Sequence, residues 1–498
     1  MSLLLKAFPH GRPSSRDRNP RTGSASVHTL ATVLVSVLAM VVVLVPLAGT
    51  AEARRSPGAH QAQGAHRAHQ AARVGQPKRN YVIRPTSYFS FPNRSRRERL
   101  AIRNKVLATI QSVWGGRKTP LGVPLKANGK IRIATWSFDD WGIAKALVAA
   151  KKRGVSVQVV AAKSANRGHK PWRWLRKKLG KKLYRAGNAS SRERTSFARQ
   201  CRGACRGPGG TPHSKFFLFK NVGSRHLPAV SVQGSANLTG MAYTGQWNQA
   251  QVQHSPRIWN DFMSVFREMR IMRPRSSPYH VQNMGRTVNY FFPRPRAKQR
   301  HDPVMQLLSR VNCKGATGGG TRAGRTKIRV IQYAIYGERG VWIAKKLRYL
   351  WRAGCNVSII YGVSSRSVLS ILRSRAGRGA IPMKQSVVKD SWGNIVKYNH
   401  SKWMTITGRW ARSTAAYLTF NGSANWSNLA FSDDEQMQRI SSRFQALRHN
   451  AAFAKTWRQK TSRKPGFGRV TSFGRTMPEA IPDEPTFGEG IYKYLPED

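Results

Sequence analysis

His213-Ser-Lys215 is followed by Gly234-Ser-Ala-Asn237, and His400-Ser-Lys402 is followed by Gly422-Ser-Ala-Asn425. The same seven specified positions recur in one chain, with His and Asn 24 positions apart in the first copy and 25 in the second. Chance does not supply such a compound repeat, so the chain carries a duplicated site. In an extended strand, residues i and i+2 share a face, so His213 with Lys215 and His400 with Lys402 would turn two imidazoles and two ammoniums toward one cleft. That cleft suits a phosphodiester. The lysines, the carboxamides of Asn237 and Asn425 and the hydroxyls of Ser235 and Ser423 would hold the non-bridging oxygens, where charge accumulates during displacement. One imidazole would attack phosphorus and the other would protonate the leaving oxygen, a scheme that calls for no metal and no other cofactor.

The elements that must position these groups repeat as well. Lys130 to Ala134 reads as a strand, Ile143 to Arg153 as an amphipathic helix stopped by Gly154, and Val155 to Val159 as a second strand. Lys327 to Ile331, Val341 to Ala353 with Gly354, and Val357 to Ile360 repeat that order. Each is a strand, helix, strand unit of a parallel or mixed sheet. Tyr88-Phe-Ser-Phe-Pro92 and Asn289-Tyr-Phe-Phe-Pro293 open the two copies, and helical segments near Ile258 to Met269 and Phe444 to Trp457 close them. The offset between copies is 197 at the first strand and 187 at the His-x-Lys element, so the first copy holds about ten extra residues. Cys201 to Gly210 is the natural insertion, a loop beside the site.

At these residues the chain resembles the phospholipase D superfamily, whose signature is a twice-used His-x-Lys element with a downstream Gly-Ser-x-Asn loop. The resemblance spans roughly residues 86 to 460. It implies an α/β fold, two pseudo-symmetric phospholipase D-like sandwich halves around one shared active site, and a covalent phosphohistidine intermediate. The halves are expected over 86–285 and 286–465. In the family a carboxylate or amide about ten residues beyond the motif Asn often supports the histidine of the opposite half. Asp434 and Glu435 stand there in the second half, Asn248 and Gln249 in the first. Support crossing the halves would put Glu435 behind His213 and Asn248 behind His400. A carboxylate stabilises the positive charge that builds as the ring nitrogen attacks, so His213 is assigned as nucleophile and His400 as general acid, then base. The chain departs from the family at the position five residues after the motif Lys, where a structural Asp is usual and Lys220 and Thr407 stand instead.

Outside the halves, Lys6, Arg12, Arg16, Arg18 and Arg21 precede an apolar run from Val33 to Leu47, with small residues at Ala51 to Ala53. Residues 1–53 read as a secretory signal, the alternative being an uncleaved anchor. Residues 54–85 read as a flexible basic linker, in which the spacing of His60, His66 and His69 makes no convincing metal site. Export gives the four cysteines meaning. Three connectivities are open, and 201–205 with 313–355 is the economical one, whereas a zinc site would combine Cys201 and Cys205 with two histidines.

The formal net charge is +67, and +64 without residues 1–53. A field of that sign gathers polyanions, whether nucleic acid, anionic lipid headgroups or acidic wall polymers. Six of the twenty acids lie in the last twenty residues, so 466–498 forms an acidic tail that either folds back on basic surface or stays disordered. Export and a single-chain duplicated site resemble secreted bacterial phospholipases of this type. The expected function is hydrolysis of a glycerophospholipid to phosphatidic acid and head-group alcohol at a membrane or vesicle surface, one chain sufficing for the site. The alternatives are a secreted metal-independent nuclease and a non-catalytic polyanion binder. Among Trp136, Trp141, Trp247, Trp342, Trp403 and Trp426, core packing is the ordinary use and lipid contact the special one.

Overall fold

Fifteen strands and eight helices carry the argument in the computed structural model, which describes residues 80–115, 129–183, 189–391, 395–463, 469–472, 475–478 and 480–481. The expected signal, the linker up to residue 79 and most of the acidic tail lie outside the described residues. Among the described residues, no helix is long and apolar enough to cross a membrane.

The first half runs β1 (Ser87–Ser90), α1 (Ala101–Gln111), β2 (Lys130–Thr135), α2 (Trp141–Lys152), β3 (Ser156–Ala162), α3 (Lys170–Leu179) and β4 (Phe197–Cys201). It continues with β5 (Phe216–Lys220), β6 (Val230–Gly234), β7 (Gln246–His254) and α4 (Pro256–Met269). The second half runs β8 (Thr287–Phe291), α5 (Pro303–Ser309), β9 (Lys327–Ile335), α6 (Gly337–Arg352), β10 (Asn356–Ser365), α7 (Arg366–Arg373) and β11 (Met383–Lys389). There follow β12 (Ile395–Asn399), β13 (Lys402–Trp410), β14 (Ser413–Gly422), β15 (Gln436–Ser441) and α8 (Arg443–Trp457).

The spatial order in the first sheet is β1-β7-β6-β5-β2-β3-β4. In the second it is β8-β15-β14-β13-β9-β10-β11, the same order repeated. Each sheet is parallel from its second to its fourth strand and antiparallel beyond. Parallel β3 is buried along its whole length, as a Val- and Ala-rich run covered on both faces requires. Among the strands added to this shared order, β12 is the one that joins the halves. It pairs antiparallel with β11 and then runs parallel to β7 of the first half, at Tyr398 with Gln246 and Asn399 with Trp247, carrying the chain across to His400.

Local sequence explains the boundaries. Asp140 caps α2 by accepting from the Ile143 N–H at 2.9 Å and is held by Arg103 at 2.7 Å. The helix ends at Gly154, whose φ of +85° is open to glycine, and α6 ends the same way at Gly354 with φ +99°. Helix α6 begins at Gly337, earlier than the apolar pattern from Val341 predicts. Its first turn buries Arg339, whose guanidinium pairs with the equally buried Asp302 at 3.0 Å and donates to the Asn425 carbonyl at 2.9 Å. A charged residue therefore faces inward where an amphipathic reading places it outside. Between the halves, Phe91, Trp247, Ile331, Trp403 and Phe453 share one core cluster.

Candidate active site

The two His-x-Lys elements form the lead-ins to β5 and β13 rather than lying wholly within strands: only Lys402 belongs to its strand, and Lys215 stops one residue short. Each lysine ammonium donates to the carbonyl of its own histidine, Lys215 to His213 at 2.6 Å and Lys402 to His400 at 2.9 Å. The intervening serines, equal in both copies, cross between the halves: Ser214 Oγ donates to the Asp434 carbonyl and Ser401 Oγ to the Trp247 carbonyl, each at 3.0 Å.

Strands β6 and β14 end at Gly234 and Gly422. A Cβ there would lie 2.1 Å from the carbonyl oxygen of Gln249 or of Gln436 respectively, so the neighbouring strand can approach only a glycine. That approach lets the Ser235 N–H reach the Gln249 carbonyl and the Ser423 N–H the Gln436 carbonyl, both at 2.9 Å. The Ser-Ala-Asn segments do not cap helices; Thr239 caps the short helix Gly240–Thr244.

The support expected to cross the halves does so. His213 Nδ1 lies 2.7 Å from Glu435 Oε1, and His400 Nδ1 lies 3.0 Å from Asn248 Oδ1. The Asn248 amide donates to the Ala242 carbonyl and to Gln246 Oε1, which turns its oxygen to His400 and fixes the proton on His400 Nδ1. Behind these groups stand the motif serines. Ser235 Oγ donates to Asn248 Oδ1 at 2.7 Å, and Ser423 Oγ donates to Glu435. The sequence placed these two hydroxyls on the phosphoryl oxygens. In this arrangement Ser235 Oγ faces Asn248, and Ser423 Oγ lies between Glu435 and Gln436 Oε1, the latter at 2.8 Å, so each hydroxyl orients the residue that supports a histidine. Gln436 ties the copies further: its amide donates to the carbonyls of Lys215 and Gly234, and its oxygen accepts from the Lys215 N–H at 3.0 Å.

Two aromatic residues complete the symmetry. Trp136 sits edge-on to His213 at 5.7 Å with Lys215 Nζ over its ring at 5.8 Å, while Tyr333 lies 4.8 Å from His400 with Lys402 Nζ at 4.7 Å. They are separated by 197 positions, the offset of the first strand, and that equality was the signal for Tyr333, which pattern reading passed over. Trp247, Trp403 and Trp426 are core residues, Trp342 packs against the core, and Trp141 is the exposed member of the six.

His213, Lys215, Asn237, His400, Lys402 and Asn425 are all buried. Burial, together with the charges of Lys215 and Lys402, holds both imidazoles well below the ordinary histidine range, hence neutral. Burial pushes the Glu435 carboxyl up to about 7, against the lowering pull of Lys215, Ser423 and Lys402. Among the described residues, one set of side chains could hold a cation: His213, Asp433 and Glu435, with ligand atoms within 4.8 Å of one another. Their lone pairs already serve hydrogen bonds, Asp433 accepting from the Thr211 N–H at 2.8 Å and Glu435 from Ser423, which a cation would have to displace.

The inserted loop of the first half grips this acidic segment. Cys201–Cys205 and Cys313–Cys355 are both disulfides, which removes the zinc reading of the first pair. The Cys205 N–H donates to the Asp434 carboxylate, and the Asp434 N–H to the Thr211 carbonyl at 2.9 Å, so the bridged loop holds the residues beside Glu435. Replacing both Cys201 and Cys205 by Ser should lower turnover about tenfold, the worth of one lost orienting hydrogen bond, with little change in unfolding midpoint; undiminished turnover would deny the loop any role in positioning Glu435. At the positions of the missing family Asp, Lys220 ends β5 opposite Lys130, and Thr407 Oγ1 donates to the Gly319 carbonyl at 2.8 Å.

Residues 125–270 match the family model described as cardiolipin synthase, PLD-like domain. No curated protein matches the chain. Among solved structures, the polyphosphate kinase of Porphyromonas gingivalis aligns at 13% identity and TM-score 0.45 over 75% of this chain and 51% of that one, so the chain spans about half its length. Nuc of Salmonella typhimurium, a phospholipase D family member, aligns at 22% identity and TM-score 0.25 over 38% of this chain and 96% of that one. The phosphatidylserine synthase of Haemophilus influenzae Rd KW20 aligns at 12% identity and TM-score 0.44, covering 80% and 91%.

Proposed function

We propose that the chain is a member of the phospholipase D superfamily, as the match over residues 125–270 supports, and an exported phosphodiesterase which hydrolyses a glycerophospholipid to phosphatidic acid and the free head-group alcohol. The observation that carries the phosphodiesterase chemistry is the unequal support of the two imidazoles, a carboxylate behind His213 and an amide behind His400. His213 Nε2 attacks phosphorus while Lys215, Lys402, Asn237 and Asn425 hold the non-bridging oxygens. The bond to the head-group oxygen breaks, and His400 gives that oxygen its proton. Burial and then the two lysines keep His400 neutral in the free protein; the anionic substrate offsets the lysines and favours the imidazolium, so once the phosphate is bound His400 holds the proton it gives. A water then loses a proton to His400 and attacks phosphorus, the P–N bond breaks, and His213 is regenerated. Two disulfides suit an oxidising compartment.

A second reading, nuclease action on the same bond, is favoured by the burial of most of the tryptophans and by the charge of +67. Turnover of the mature protein on phosphatidylcholine vesicles and on single- and double-stranded nucleic acid, with chelator present and the His213→Ala variant as control, separates the two. Release of choline and phosphatidic acid that vanishes in the variant is the expected result. Cleavage of nucleic acid alone would move the protein to the nucleases, and silence on every substrate would favour a polyanion binder.

A further inference from the structure

The first half carries, beside the segment that leads from Trp136 into α2, a face that the chemistry above does not use. Helix α2 begins five residues after Trp136, the ring that touches His213 and Lys215, and α3 packs beside it, with Lys151 Nζ donating to the Lys178 carbonyl at 2.9 Å. Helix α3 is sharply two-sided. Trp172, Leu175 and Leu179 are buried, while Lys170, Arg173, Trp174 and Lys177, at i, i+3, i+4 and i+7, line the outer face. On α2, Trp141 and Lys145 stand one turn apart and both are exposed, Trp141 at 43%. Neither helix contains an acid. The two indoles, Trp141 and Trp174, meet edge to face at 5.7 Å.

A ridge of two indoles set among long cationic side chains on a two-helix surface is the composition of a membrane-interface contact. Indoles rest at headgroup depth, and lysine and arginine stems lie along apolar surface while their charges meet anionic lipid. A single nucleic-acid strand asks for something else, a groove that tracks the backbone with open ring faces for successive bases. Here the rings are turned on each other and one is half-buried. Resting on the lipid reading above, we propose that Trp141, Trp174 and the cations Lys145, Lys170, Arg173 and Lys177 form a docking face for an anionic bilayer, which holds the mouth of the site against the headgroups.

The test is flotation of the full mature chain with vesicles of phosphatidylcholine, with and without phosphatidylglycerol, for the unaltered protein, for Trp141→Ala, and for the combined Lys170→Gln, Arg173→Gln, Lys177→Gln variant. Turnover of a short-chain phosphatidylcholine kept below its micelle concentration follows the site independently. Each cation near an anionic surface is worth about a fivefold change in partition, so the triple variant should bind anionic vesicles on the order of a hundredfold more weakly. Its turnover of the soluble lipid should be unchanged, and salt should weaken binding of the unaltered protein. Equal vesicle binding by the triple variant overturns the proposal. So does a variant that loses affinity for a single-stranded oligonucleotide while keeping its affinity for vesicles. Vesicle binding that depends on these residues supports the docking face whether or not lipid is turned over, and absent turnover of the soluble lipid counts against the lipid-substrate reading alone.

Discussion

Mixed with a phosphodiester that carries p-nitrophenol as leaving group, the His400→Ala variant should release one equivalent of p-nitrophenol per protein molecule and then nearly stop. Nitrophenolate departs without a proton, so loss of the general acid spares the first displacement. The second step, in which water must lose a proton as it attacks the P–N bond, has no base in this variant, and steady turnover should fall by about 10²–10⁴. The stalled species is a phosphoryl group on His213, visible as an added mass that is stable in alkali and lost in acid. The His213→Ala variant should give neither burst nor adduct. The reversed pattern, a burst in His213→Ala and none in His400→Ala, would exchange the two roles. The assignment rests on Glu435 at 2.7 Å from one ring and Asn248 at 3.0 Å from the other, so the experiment tests the chemistry of that difference directly.

Glu435→Gln is the second large effect. The amide can still accept from His213 Nδ1 and preserve the ring's orientation, but it supplies no charge to balance the cation that forms on His213. Exchange of an orienting carboxylate for an amide in serine hydrolases costs about 10⁴ in turnover, and a loss of 10²–10⁴ is expected here. The pH profile carries a second signature. Burial pushes the Glu435 carboxyl up to about 7. Above that pH it is ionised and supports the nucleophile; as pH falls through 7 it binds a proton and the support is lost. Activity of the unaltered protein should therefore decline below about pH 7, while both imidazoles, held well below the usual histidine range, stay neutral there. In the Glu435→Gln variant that decline should disappear. A decline that persists unchanged would place the titrating group elsewhere, Asp434 being the neighbour also raised to about 7.

Much of this site was legible in the sequence because duplication turns one pattern into two and lets each check the other. The two His, Lys and Asn sets follow from the repeat itself, the crossing of support between the halves is what the family resemblance implies, and the cysteine pairs are the economical choice among three connectivities. What stayed hidden depends on directions that only the folded sheets set. Ser235 and Ser423 look like phosphate ligands by type, yet the close approach at Gly234 and Gly422 turns their hydroxyls backward onto Asn248 and Glu435. Tyr333 is one more apolar residue in a long strand until its ring is found against His400. The hold of the Cys201–Cys205 loop on Asp433 and Asp434 joins residues more than two hundred positions apart and leaves no local trace. Strand β12 broke the repeat, so the comparison that revealed everything else could not reveal it.

The reciprocal crossing of the halves also sets when the chain can first act. His213 leaves the ribosome 222 residues before Glu435, and Asn248 emerges 152 residues before the His400 it supports. A nascent or truncated first half thus exposes a nucleophile with no carboxylate behind it and no proton donor opposite. On the mechanism proposed above, activity therefore begins only when translation has passed the second motif and the two sheets have met, a timing written into the order of the residues.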